Sequence, residues 1–269
     1  MALFGEPRFD MSVRQKGFNR YRQLLSNFGV HWFQVNLFTV LGALPLATGI
    51  TVAIVSSSVV LLIPCAFLGG MIFGPFLAGM VDAVMRGLRD DPENWWSNYK
   101  KSWRQNWKGS LIPGGILGLL VGMYAFMLRL FWVAQVSPTP GTVALYAFAG
   151  LLLLIINTLY WPQLVLFQQT TLIRMRNIIL FTAKYFWKML KVSLLQILYM
   201  AFIVLFAPWT LILMPLLGFW YIIFLTQFMI YAPLNQELQI EEQFSAVTGW
   251  PVSVPAEDQE DQGEPANGT

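Results

Sequence analysis

Three long stretches of this chain are almost free of charge, and that pattern restricts the fold more than anything else in its 269 residues. Val30 to Val81 holds no Asp, Glu, Lys or Arg; Val192 to Gln236 holds none; Leu111 to Ile173 holds only Arg129. A helix crossing about 30 Å of hydrocarbon needs about 20 residues. Each stretch is therefore long enough for two crossings. Each also contains a natural reversal: Ser56-Ser57-Ser58 in the first, Ser137-Pro138-Thr139-Pro140-Gly141 in the second, and the region Pro208 to Pro215 in the third. In lipid every backbone polar group must be satisfied without water, which leaves helices or closed barrels. The alternating ten-residue segments of a barrel are absent. The expected fold is all-α and polytopic: six transmembrane helices in three hairpins (30–86, 110–173 and 190–236), joined by amphipathic interfacial helices.

The charge that is missing from the spans collects between them. Only 12% of the chain is charged, against about 25% for an ordinary soluble domain. Five cations precede Val30, six lie between the first and second hairpins, and five between the second and third, leaving Arg129 alone. If each hairpin crosses twice, 16 of the 17 cations face one compartment. The positive-inside rule makes that compartment the cytoplasm and puts both termini there. Flanking spans account for the basic charge, so nucleic acid is not an expected partner; the lipid bilayer is. Residues 1–29 read as a cytoplasmic amphipathic segment, 30–243 as the membrane domain and 244–269 as an acidic tail. From Ala256 onward the tail has five acids and no large apolar residue, so disorder is expected there. The first thirty residues lack an early apolar core, and no cleavable signal peptide is expected.

The segment between the first two hairpins has the most pronounced pattern. Asp90-Asp91-Pro92-Glu93 combines an acidic cap with proline at a first helical position, the signature of a helix start. Beyond it Trp96, Tyr99, Trp103 and Trp107 share one helical face, spaced 3, 4 and 4 apart. Lys100, Arg104 and Lys108 make a cationic stripe beside them. An aromatic face next to a cationic one suits the headgroup layer of an anionic leaflet. Lys184, Lys188 and Lys191 repeat the theme among Tyr185, Phe186 and Trp187. The chain thus reads as three similar units, each a basic-aromatic helix followed by a hairpin. Trp96, Tyr99, Lys100, Trp103, Arg104, Trp107, Lys108, Lys184, Lys188 and Lys191 are the expected interfacial or partner-facing set.

Within the spans, Gln34 and Asn36 should face protein rather than lipid. Gly70-x-x-x-Gly74 is a close-packing pattern. Asp82 and Arg86, four apart, are an expected ion pair at the cytoplasmic boundary. Asn157, Gln163 and Gln168 make the fourth span the most polar, and they are the candidates for lining a cavity. Arg129 lies near the outer end of its span, within snorkelling reach. His31 reads as a boundary residue and Cys65 as a packed one. One His and one Cys, in separate spans, do not form a nucleophile–base set. There is no phosphate-cradling glycine loop with a Lys and no clustered metal ligands, so neither an enzyme nor a cofactor is expected.

Leu44-Pro45-Leu46-Ala47-Thr48-Gly49, Gly74-Pro75-Phe76-Leu77-Ala78-Gly79 and the aromatic, basic linker that follows resemble the YesL-like family of bacterial integral membrane proteins. The similarity covers most of residues 15–240. The resemblance implies an accessory role in carbohydrate or oligosaccharide uptake, with subunits of a sugar ABC importer as partners. It brings no catalytic residues. Two other readings are an autonomous small-solute transporter or channel, and a membrane-organising structural protein.

Overall fold

A computed structural model describes residues 13–91, 94–133, 137–206, 209–248 and 254–255. Apart from a two-residue parallel bridge pairing Val13–Arg14 with Val254–Pro255, the described residues form helices and the short connections between them. In chain order these are α1 (Gly17–Val55), α2 (Val59–Leu88), α3 (Trp95–Val133), α4 (Pro140–Leu166), α5 (Thr171–Lys184), α6 (Phe186–Leu205), α7 (Trp209–Leu238) and α8 (Ile240–Thr248). Six of them, α1 to α4, α6 and α7, are long and apolar enough to cross a membrane.

The first reversal falls on the three serines: Ser57 takes a left-handed conformation, and the Ser58 hydroxyl caps α2 by accepting from the Leu61 N–H. Thr139 caps α4 in the same way, with Pro140 at its first position. The third reversal differs from expectation. Helix α6 ends at Leu205 and α7 is already under way at Trp209, and α7 runs on through Pro215. The basic-aromatic segments differ as well. Residues 17–29 and 95–109 are not separate helices but the first turns of α1 and α3, each 39 residues long; only α5 stands apart, broken from α6 at Tyr185. At 1.5 Å per residue, 39 residues make about 58 Å, far more than the hydrocarbon needs.

Helix α2 is the axis of the molecule and packs most extensively on α1 and α3. Its contact with α3 is backbone on backbone. A methyl group built on Gly70 would lie 2.3 Å from the Gly114 carbonyl oxygen, and one on Gly118 would lie 2.4 Å from that of Ala66. Only glycine permits that approach. Gly70-x-x-x-Gly74 thus meets Gly114-x-x-x-Gly118, a partner that the first motif alone does not reveal.

The core is thickest at the end where residues 13–14 and 254–255 lie. Helix α4 buries residues only between Ile155 and Leu164, and α6 only between Met189 and Gln196. Toward the other end these helices expose Leu145, Phe148, Leu198 and Leu205. The termini and the charge-bearing α2–α3 connection share the well-packed end.

Candidate functional site

The well-packed end is built around a buried cluster of ions. Helix α2 stops at Leu88, and Asp90 follows in a left-handed conformation, φ 60°, which an aspartate tolerates better than most residues. That turn brings the Asp90 carboxylate to Arg20 of α1. Arg20 donates to both Asp90 oxygens at 2.8 Å, to Gln23 Oε1 at 2.8 Å and to the Leu88 carbonyl at 3.1 Å. Arg14 donates through Nε to Asp90 Oδ2 at 3.2 Å and through Nη1 to Glu241 of α8 at 2.7 Å. The Tyr231 hydroxyl donates to the same Glu241 oxygen at 2.8 Å. Arg86 donates to Asp82 at 2.9 Å and to Asp91 at 2.8 Å. Arg89 lies over the Phe244 ring, 3.9 Å from its centre.

Three arginines, Arg14, Arg20 and Arg86, therefore meet four carboxylates, Asp82, Asp90, Asp91 and Glu241, drawn from the N-terminal arm, α1, α2, its exit turn and α8. Buried charges persist only when paired and hydrogen-bonded, and here Arg20 and Asp90 meet both conditions while almost wholly enclosed. The expected Asp82–Arg86 pair is one corner of this larger arrangement. Asp90 and Asp91 do not cap α3. Asn94 does, its side chain accepting from the Trp96 N–H at 3.0 Å; Pro92 and Glu93 lie outside the described residues. Sequence reasoning missed Arg14, Arg20, Asp90 and Glu241. A usable signal was present: Arg20, Leu24 and Phe28 recur every four residues, so a cation shares a face with core apolars and demands a partner there.

The aromatic row of α3 is turned partly inward. Tyr99 is buried and fills the gap over Gly79; Trp96 and Tyr99 stack beside Phe38 of α1, and Trp103 meets Phe76 of α2 edge-on. Trp96 and Trp107 stay 40% exposed at the flanks of the row. Lys100, Arg104 and Lys108 are exposed, as is Lys101, with Lys100 near the Trp96 ring and Lys108 near that of Trp107. Ser97, Lys100, Lys101, Arg104 and Gln105 line an open depression of about 320 Å³. In the second basic segment Lys184 Nζ donates to Glu237 at 2.6 Å, and the Tyr185 hydroxyl donates to the same oxygen at 2.8 Å. The bond to Glu237 holds the Lys184 ammonium above its ordinary range. Lys188 is half-buried and Lys191 exposed.

The polar residues of the spans mostly bond within the bundle. Asn36 inserts its side chain into a turn of α7: Nδ2 donates to the carbonyls of Met214 and Pro215 at 3.0 and 2.8 Å, and Oδ1 accepts from the N–H groups of Phe219 and Trp220 at 2.9 and 3.2 Å. Gln196 of α6 donates to the Thr158 hydroxyl at 2.7 Å, and Gln227 of α7 to the Thr158 carbonyl at 2.9 Å. The three cavity candidates of α4 do not come together. Asn157 accepts from the Trp161 indole one turn along. Gln163 is buried, donates to Leu159 and accepts from Asn177 of α5. Gln168 is exposed in the link after α4. Their spacing suggests a lining, but the loop after Leu166 separates the last of them from the other two. Arg129, near the end of α3, is half-buried with one guanidinium nitrogen enclosed and without a hydrogen-bond partner among the described residues.

Six apolar helices of spanning length make this a multi-pass membrane protein, all-α in class. No protein-family model, curated protein or solved structure matches the chain.

Proposed function

We propose that the chain is an accessory protein of the bacterial cell membrane that supports carbohydrate or oligosaccharide uptake beside an ABC importer. The observation that carries the accessory role is the use made of the buried polar groups. Asn36, Gln163, Gln196 and Gln227 each bond a neighbouring helix, which favours a fixed bundle over one that rearranges around a solute. The sugar-uptake context rests on the YesL-like resemblance of residues 44–49 and 74–79.

In this reading both termini and the α2–α3 connection are cytoplasmic, because 16 of the 17 cations then lie on that side. The start of α3 rests at the headgroup layer. Its contact register supports that placement. Between Tyr99 and Ser110, 11 residues or about 16 Å of helix, the partner on α2 advances only from Gly79 to Gly74. From Ser110 to Gly118 the two helices advance together. The first turns of α3 therefore cross α2 obliquely before the antiparallel contact begins.

Purification of the tagged protein in mild detergent from a sugar-induced culture tests the role. Co-elution of importer membrane subunits, with slowed sugar uptake in the deletion strain, is expected. A lone protein and unchanged uptake would overturn it. The transporter reading draws on one observation, the Asn36 side chain lodged in the α7 turn, as in helices opened around a transport site. Solute flux into vesicles containing only this protein, abolished by Asn36→Leu, would favour that reading instead.

A further inference from the structure

We propose that the depression at the start of α3 is a binding site for the phosphate headgroup of an anionic phospholipid. The first ground is a contrast in neutralisation. At the same end of the molecule Arg14, Arg20 and Arg86 are engaged by carboxylates. Lys100, Lys101 and Arg104 surround a concavity whose other lining residues, Ser97 and Gln105, carry no charge. Three cations around one recess leave a local positive field, which favours a bound anion.

The second ground is position. Lys101, Gln105, Lys108, Ile112 and Ile116 follow one another at spacings of 4, 3, 4 and 4, so they form one column along α3. All five are exposed. The column begins as cation and amide and ends as bare isoleucine, with Ile112 63% exposed. That is the polarity profile of a phospholipid, headgroup to acyl chain. Trp96 and Trp107, both part-exposed, flank the cations; indoles favour this depth of a bilayer. The hydroxyl of Ser97 and the amide of Gln105 add neutral donors for phosphate or glycerol oxygens. A free phosphate would use the cations alone; the isoleucine column gives a lipid the advantage. The site rests on the membrane placement of α3 and not on the importer, so its failure leaves co-elution of importer subunits untouched.

Native mass spectrometry of the full-length protein tests it, with phosphatidylglycerol, phosphatidylcholine and inorganic phosphate as separate probes. Wild type should retain one phosphatidylglycerol in preference to phosphatidylcholine after delipidation. Near an anionic surface each basic residue contributes about fivefold in affinity, so Lys100→Gln/Lys101→Gln/Arg104→Gln should weaken retention on the order of 100-fold. The charge-keeping Lys100→Arg/Lys101→Arg/Arg104→Lys should retain it. So should Lys16→Gln/Arg22→Gln/Arg176→Gln, which removes equal charge elsewhere. Three outcomes overturn the proposal: equal retention by the first variant, equal loss in the control, or displacement of the lipid by millimolar inorganic phosphate. A fourth is phosphatidylglycerol binding that appears only once residues 249–269 are removed, which would assign the recess to the acidic tail.

Discussion

Asp90 is the residue on which most of the charged cluster turns, because Arg20 and Arg14 both depend on it. Asp90→Asn should cost about 3–5 kcal/mol, the scale for leaving a buried cation unpaired. Thermal unfolding in detergent measures it. Arg20→Met with Asp90→Asn should lose less than the two single variants summed, since the second change no longer strands a charge. Lys184 is subject to a different test. Its pKa is raised in the folded state by the bond to Glu237, so the contact is fully present below the ordinary lysine range and is lost as pH rises through the raised value. Acylation of Lys184, followed by peptide mapping across alkaline pH, should therefore lag a typical exposed lysine. Glu237→Gln should move that profile back to lower pH.

At the scale of elements, the α2–α3 contact is the most demanding. Gly70→Ile or Gly114→Ile places side chain where a carbonyl oxygen already lies, and the folded yield should collapse. Gly109→Ala is the matched control: nothing lies within 4 Å of its added methyl, and it should be neutral or stabilising by up to about 1 kcal/mol. Size-exclusion profiles of the three variants distinguish these outcomes. The spans were legible in the sequence because uncharged length is a physical requirement of lipid. The Ser58 and Thr139 caps were legible as reversals for the same local reasons that make them caps. The α3 start was not read correctly, because Asp90 and Asp91 look like cap residues until Arg14, Arg20 and Arg86 are brought to them from elsewhere. Periodicity grouped Trp96, Tyr99, Trp103 and Trp107 correctly on α3. It carried no information on whether that face meets lipid or Phe38 and Phe76.

For the whole molecule, the three-hairpin scheme makes a topological prediction. In a Cys65→Ala background, Lys101→Cys should react with an impermeant thiol reagent only when the cytoplasmic face is open. Thr142→Cys should react from outside intact cells. The reverse labelling would invert the orientation read from the cations. The buried cluster of arginines and carboxylates has a consequence in time as well as in space. Arg14 and Glu241 are 227 residues apart, nearly the full length of the chain. Arg14 is made before any of the six spans, can meet Asp90 once α2 is in place, and gains Glu241 only after α7 has been made. An insertion intermediate thus holds the arm through Asp90 alone, and closing it onto Glu241 ties α8 to the start of the bundle. A chain cut short before residue 241 would keep its six spans but lack that seal, leaving Arg14 on Asp90 alone and the Tyr231 hydroxyl without its carboxylate.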